Sequence, residues 1–394
     1  MTYSYDKPEL AKWTTAFTRA FRIISWNKRF LITLGIWPMK VNRVAFVFFF
    51  VYMVIHCTMG GAHLVKYFSK PEYIIANLAE NILFTMIIGK MFICERSRGI
   101  MVYFLNTIQP DFSAKSYSSA REKTLYLHYN KFALIFIKVS LGMATLAGTL
   151  YYIRRFLESW TVSTHNASYE LPYRTYPFFE IQDVTTYFCL CAYQIIAVPM
   201  IVCGYSAPDS FVLSMALHIC GQFAVLSYKI EELLKDHENY NRHIGAIVLR
   251  HRQLITLAEI LENNFNMIFL QQTLGTIFLL CLTTYHMLAN SEYGDSTNVV
   301  TFLLYICCVV STIFAYCYIG ECLINESTRL RDTFYNTDWY NTSPSCGKIL
   351  SICMIRSEKP LVLTAGKFYM LSLDTLTSIV KTSIAYLSIL RNFM

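Results

Sequence analysis

"TAGKFYMLSLDTLTSIVKTSIAYLSILRNFM", Thr364 to Met394, closes the chain, and its reading decides the fold. From about residue 363 to 390 it is long enough to cross roughly 30 Å of hydrocarbon as a helix. Yet hydroxyls recur along it. At helical spacing Thr375, Ser378 and Thr382 share one face, and Tyr386, Ile389 and Phe393 continue it. Such a stripe suits two arrangements. It can wet a pathway that an apolar ring closes by dewetting, or it can mediate helix packing in lipid. The first needs several copies of the helix around one axis.

Working outward, the whole chain is apolar. Of its 394 residues 55% are hydrophobic and only 15% charged, too little polar surface to cover a soluble core. The expected class is all-α, a polytopic membrane protein with seven transmembrane helices. The earlier spans are read at about 43–64, 73–93, 132–153, 183 onward, 266–288 and 298–320. The fourth stays apolar to about 230, too long for one crossing, so it is expected to bend near Pro199 or Pro208 and run on into the cytosol. No β-barrel alternation occurs, and "MTYSYDKPEL" lacks the order of a cleaved signal peptide.

Loop charge gives orientation. Lys and Arg crowd the segment before the first span and the loops after the second, fourth and sixth. The N-terminus is therefore expected in the cytosol and, after seven crossings, the C-terminus outside. The net charge of +8 is then cytosolic loop charge, and no nucleic-acid partner is expected. The expected organisation is a cytosolic segment 1–42 with an interfacial helix, helices one to four over 43–204 with an extracellular loop at 154–182, a cytosolic anchor at 205–265, helices five and six over 266–320, further anchor at 321–362, and a pore-lining helix at 363–394. Trp13, Phe17, Phe21 and Ile24 recur at helical spacing in the first segment, which fits a helix lying in the interface or one packed on protein. The sequon Asn166-Ala167-Ser168 falls in the long outside loop, where glycosylation of Asn166 is expected.

No enzyme constellation is present: no HExxH, GxSxG, GxxxxGK[ST] or paired CxxC. No metal or other cofactor is expected. The 13 cysteines sit mostly in apolar runs and read as small packing residues. Lys90 and Lys138 lie near inner span ends, where snorkelling to the interface accounts for them. Glu80 and Asp374 suit either a polar cavity or a structural hydrogen bond.

The motifs also carry a resemblance. "RSEKPLVLTAGKFYMLSLDTLTSIVKTSIAYLSILR" resembles the C-terminal signature of insect odorant receptors. "FAYCYIGECLINES" with "YNTDWY", "LGIWP" and "LHICGQFAVL" resemble other segments of that family, end to end along the chain. The resemblance implies an odorant-gated, non-selective cation channel in the plasma membrane of olfactory sensory neurons. It implies a tetramer with the last helices around one pore, and Ile389 and Phe393 at the outer constriction. This chain lacks the co-receptor's long insertion after span four, so a tuning receptor is expected, assembled with odorant co-receptor subunits as a hetero-tetramer in membrane lipid. The ligand implied is a small volatile organic held in the outer half of the spans. "TLAGTLYY" resembles the family's pocket face, which points Thr145, Gly148 and Tyr152 inward; Phe302 and Tyr305 resemble its aromatic pair. Depth alone adds Asn81, Phe84, Tyr187, Cys191 and Ile195. A gustatory-receptor-like channel shares the fold, but its TYhhhhhQF-type ending is absent. A G-protein-coupled receptor needs an outside N-terminus.

Overall fold

The computed structural model describes residues 7–69, 71–166, 169–179, 181–233, 240–289, 296–337 and 339–391. Within them the regular structure is helical apart from one small hairpin. The helices are α1 (Lys7–Thr33), α2 (Arg43–Lys66), α3 (Pro71–Arg96), α4 (Arg98–Ile108), α5 (Ala120–Asn166), α6 (Val184–Ile195), α7 (Ala197–Leu233), α8 (Tyr240–Ala289), α9 (Ser296–Tyr335), α10 (Pro344–Ser357) and α11 (Leu373–Arg391). The hairpin pairs β1 (Thr364–Ala365) with β2 (Tyr369–Met370), antiparallel, with Thr364 opposite Met370.

Six stretches among the described residues are long and apolar enough to cross a membrane: Arg43–Lys66, Ile74–Arg96, Ala120–Val162, Val184–Leu233, His243–Tyr285 and Val300–Tyr335. They coincide with the first six expected spans. The seventh expected crossing, α11, has 19 residues, and its interleaved Ser and Thr make it less apolar than the others. Several helices run far past a bilayer. α8 has 50 residues and α5 has 47; at 1.5 Å per residue these span about 75 and 70 Å, against roughly 30 Å of hydrocarbon.

Local chemistry sets the breaks. The long fourth segment divides at Ile196, between α6 and α7. Pro199 lies just beyond, and it has no N–H for the carbonyl of Ile195. Pro208 sits inside α7 without ending it. Asp183 opens α6, its carboxylate accepting from the backbone N–H of Thr186 at 3.0 Å. The last segment departs from its sequence reading, because residues 364–370 form the hairpin and helix begins only at Leu373. Gly366 and Lys367 both take positive φ (59° and 67°), the backbone of a tight hairpin turn. A side chain at Gly320 of α9 would run into the carbonyl of Leu371. That glycine lets the strand after the hairpin lie directly on α9.

At the α1 end the bundle has a broad apolar core centred on α7. Every residue from 204 to 227 is buried, the mark of a helix surrounded by others. The expected α1 stripe is rotated. Phe17, Ala20, Ile23 and Leu31 are buried, while Phe21 is 43% exposed. Phe17 stacks on Tyr126 with centroids 5.7 Å apart, so α1 packs on protein. All the cysteines are free thiols.

Candidate functional site

At the opposite end the helices enclose a cavity of about 430 Å³, within the range of small-ligand sites. α3 lends Glu80, Leu83 and Phe84 to its wall, and α5 lends Ala147, Gly148, Tyr151 and Arg154. Ile201 and Tyr205 come from α7, Leu282 and Thr283 from α8, and Phe302 and Tyr305 from α9. Small residues on α5 make the space and aromatic rings on the facing helices shape it.

Segment 169–179 covers this chamber, and Tyr173 and Arg174 are part of its wall. The segment is stapled in place. Arg174 meets Glu80 at 2.8 Å, and its backbone N–H donates to the same carboxylate at 3.0 Å. Tyr151 also donates to Glu80. Gln194 accepts from the Tyr173 N–H at 2.9 Å and donates to the Tyr173 carbonyl at 3.1 Å. Asn77 donates to the Arg174 carbonyl at 3.0 Å, and Tyr176 N–H to Met59 at 2.9 Å. Burial pushes the Tyr173 phenol far above its ordinary value, so this roof residue stays neutral. Burial works against the Arg174 charge, but its contacts with Tyr151 and Glu80 outweigh that and hold it charged.

Beneath the cavity floor lies a buried ion pair. Lys90 of α3 meets Asp209 of α7 at 2.7 Å, with side chains 0% and 1% exposed. Lys90 also donates to Gln272 of α8 at 2.7 Å, and its ammonium sits 4.1 Å over the Tyr205 ring. Tyr316 of α9 donates to the second Asp209 oxygen at 2.6 Å. Gln272 in turn donates to the Tyr205 hydroxyl at 2.8 Å. The snorkelling expected for Lys90 is therefore corrected: its charge is neutralised inside the bundle. No sequence signal marked Asp209, which stands in an apolar run 119 residues away. Tyr205 belongs both to this network and to the cavity wall.

Of the residues expected around a ligand, Phe84, Gly148, Phe302 and Tyr305 line the chamber. Tyr152, Tyr187 and Cys191 gather beside it. Tyr152 donates to the Cys191 carbonyl at 2.7 Å, and Tyr187 shares a hydrogen bond with Ser159 at 2.8 Å. Asn81 faces α2 at Gly60 and donates to the Asn77 carbonyl at 3.1 Å. Thr145 and Ile195 are exposed on the outside of the bundle. Tyr151, Arg154 and Thr283 line the chamber without a sequence signal, and Glu80 takes the cavity position that was one of its two sequence readings. Glu80 and Asn81 are adjacent, so a rotation of about 100° decides which one faces in.

On α11 the buried positions are Ile379 and Ser383. Thr375 is half-buried, whereas Ser378, Thr382, Tyr386 and Ile389 are exposed, the last two 52% and 54%. The expected pore stripe thus lies away from the rest of its own subunit. The hydroxyls of Ser378 and Thr382 donate to backbone carbonyls one turn earlier. Phe393 lies outside the described residues. Asp374 is exposed at the start of α11. Asn166 ends α5, and the rest of its sequon lies outside the described residues.

Long apolar helices around a ligand-sized chamber under a clamped segment fit a polytopic membrane protein. Residues 74–384 match the family described as "7tm Odorant receptor", and the chain belongs to that family. It is 28% identical over 283 residues to Odorant receptor 22c of Drosophila melanogaster, covering 67% of this chain and 68% of that one. It is 29% identical over 206 residues to Odorant receptor 13a of the same species, covering 47% and 48%. Among solved structures it is similar to the insect olfactory receptor OR5 from Machilis hrabei in complex with eugenol. The TM-score there is 0.80 at 17% identity, with 95% of this chain and 100% of that one covered. A second structure of the insect olfactory receptor OR5 from Machilis hrabei gives 0.76 at 18% identity, covering 94% and 98%.

Proposed function

We propose that the chain is a tuning subunit of an odorant-gated, non-selective cation channel. It binds a small volatile organic in the chamber beneath segment 169–179 and opens a central pore together with odorant co-receptor subunits. The observation that carries this is the ligand-sized chamber between the helices, whose floor residue Tyr205 is tied through Gln272 and Lys90 to Asp209 and Tyr316. A similar fold solved with eugenol supports the ligand class. The N-terminus is cytosolic and the C-terminus outside. The α1 end, with α10 and the cytosolic parts of α7 to α9, is the anchor between subunits. The stripe of Thr375, Ser378, Thr382, Tyr386 and Ile389, continued in the sequence by Phe393, then lines the pore of a tetramer, at the plasma membrane of olfactory neurons.

Gating is a population shift, so the ligand must bind the open arrangement better than the closed one. Going from about 1% to 99% open takes about 5.5 kcal/mol of differential binding. An apolar ligand that buries about 200 Å² gains roughly 5 kcal/mol in total at ~25 cal/mol per Å². One ligand therefore falls just short of that full shift even if all of its energy appears in the open state alone. A modest closed-state bias, or several filled cavities, relaxes the requirement.

Whole-cell current from cells that express the chain with a co-receptor, challenged with a panel of volatiles, tests the reading. Ile389→Ala removes apolar bulk from the proposed constriction and is expected to raise basal current several-fold. Unchanged basal and evoked currents would remove Ile389 from the gate. A tag at Met1 that stains without permeabilisation would overturn the topology.

A further inference from the structure

Two polar groups in the cavity wall lack a partner within the protein. Thr283 of α8 is 3% exposed and lines the chamber. Its hydroxyl has no hydrogen-bond partner. A helical threonine ordinarily turns its hydroxyl back to the carbonyl four residues earlier. Thr58, Thr85, Thr145, Thr273 and Thr382 all do so at 2.8 Å. Thr283 does not take that bond, although its helix continues through the preceding turn. The second group is on Arg154 of α5, which also lines the chamber. Its Nη1 meets Glu158 at 2.7 Å and its guanidinium lies 5.6 Å from the Phe302 ring centre. Its Nε is buried and unpaired.

An arginine Nε only donates, and a hydroxyl can donate. Several other polar groups of the wall are already engaged. Glu80 holds Arg174 and Tyr151, Arg155 meets Glu158, and the Tyr205 hydroxyl accepts from Gln272. The open positions thus ask for an acceptor. A hydrocarbon leaves both groups unanswered, and an ammonium brings only donors to the donor-only Nε of Arg154. A carbonyl oxygen, with two lone pairs and no charge to desolvate, answers them.

We propose that this cavity selects neutral carbonyl compounds (ketones, aldehydes and esters) over hydrocarbons and amines of equal size. Thr283 is the specificity-determining donor and Arg154 the second donor. The proposal rests on the reading of the chamber as the ligand site. Discrimination of this kind is large because a buried group built to hydrogen-bond stays unpaired with the wrong ligand.

The test uses 2-heptanone, n-octane and heptylamine as probes. Two readouts are taken: evoked current with co-receptor, and ligand-induced thermal shift of the purified chain in detergent. Wild type is expected to respond to the ketone at a concentration at least tenfold below the other two. Thr283→Val, which keeps the shape, is expected to raise the ketone concentration about tenfold and leave that for octane unchanged. Thr283→Ser is expected to restore it. Equal shifts for all three probes in Thr283→Val, or no preference in wild type, would overturn the proposal. If Thr283→Val does not reach the surface, Thr283→Ser beside Thr283→Ala carries the same comparison. Ala147→Phe, which fills the chamber, separates the two layers. If it abolishes every response while Thr283→Val shifts all probes alike, the site stands and the carbonyl preference falls. If it leaves responses intact, the site itself falls.

Discussion

Two polar clusters stand one above the other in the same apolar bundle, and the fold treats them oppositely. Around Lys90 every charge is answered: Asp209 and Gln272 at 2.7 Å, the face of the Tyr205 ring at 4.1 Å, and Tyr316 on the far oxygen of Asp209. In the chamber above, the Thr283 hydroxyl and the Arg154 Nε stay open. A buried polar group without a partner costs about 1–3 kcal/mol, so a stable fold keeps few of them. The contrast assigns roles. The closed network joins α3, α7, α8 and α9 in one arrangement, and the open positions are where something other than the chain belongs. Tyr205 touches both, so a ligand resting on the floor bears on the ring that holds the ammonium.

Breaking the closed side should have the largest effect. Asp209→Ala leaves Lys90 buried and unpaired, at a cost of about 3–5 kcal/mol. Surface expression is expected to fall below detection, and the double change Lys90→Met with Asp209→Leu to recover much of it. Normal expression of the single variant would show that the pair is not held as described.

A second closed cluster at the α1 end gives an intermediate effect. There Asp111 accepts from Arg250 at 2.5 Å and from His218 at 3.0 Å. Burial works to raise the Asp111 carboxyl, but the hydrogen bonds and charges of His218 and Arg250 outweigh it and hold the group below its ordinary value. A depressed carboxyl contributes stability that is present above the ordinary carboxylate range and is lost as pH falls through the lower folded value. Asp111→Asn is expected to lower stability by about 1.5–3 kcal/mol, read as a lower melting temperature in detergent. It should also flatten the acid limb of the stability–pH curve. An acid limb of unchanged steepness would break the assignment.

The smallest effect should come from the open side. Thr283→Val replaces an unpaired hydroxyl with a methyl group of the same shape. Its melting temperature without ligand is expected to match or slightly exceed that of wild type. A drop worth more than about 1 kcal/mol would mean that the hydroxyl is already partnered, and the contrast between the clusters would close.

Much of this was legible in the chain itself. Apolar runs marked six crossings, and the hydroxyl stripe of the last helix marked a face that its own subunit leaves uncovered. Phe84, Gly148, Phe302 and Tyr305, which the sequence marks as ligand contacts, line the chamber. Other placements differ by the rotation of a helix. Glu80 faces the cavity while its neighbour Asn81 packs on Gly60, and Ala144 faces it while Thr145 points outward. Periodicity says which residues share a face, but packing decides where that face points. The 364–370 hairpin was read as helix because its apolar residues continue the run, and the two positive φ angles at Gly366 and Lys367 override it.

By itself the sequence determined class, the six long apolar stretches and family, because hydropathy and motif spacing are local properties of the chain. Tertiary structure alone decided that Lys90 meets Asp209, that Arg174 clamps Glu80, and that Thr283 is left open. Each of these joins or separates groups far apart in sequence. Their energies depend on burial and on distances of a few ångströms, which exist only once the helices have packed.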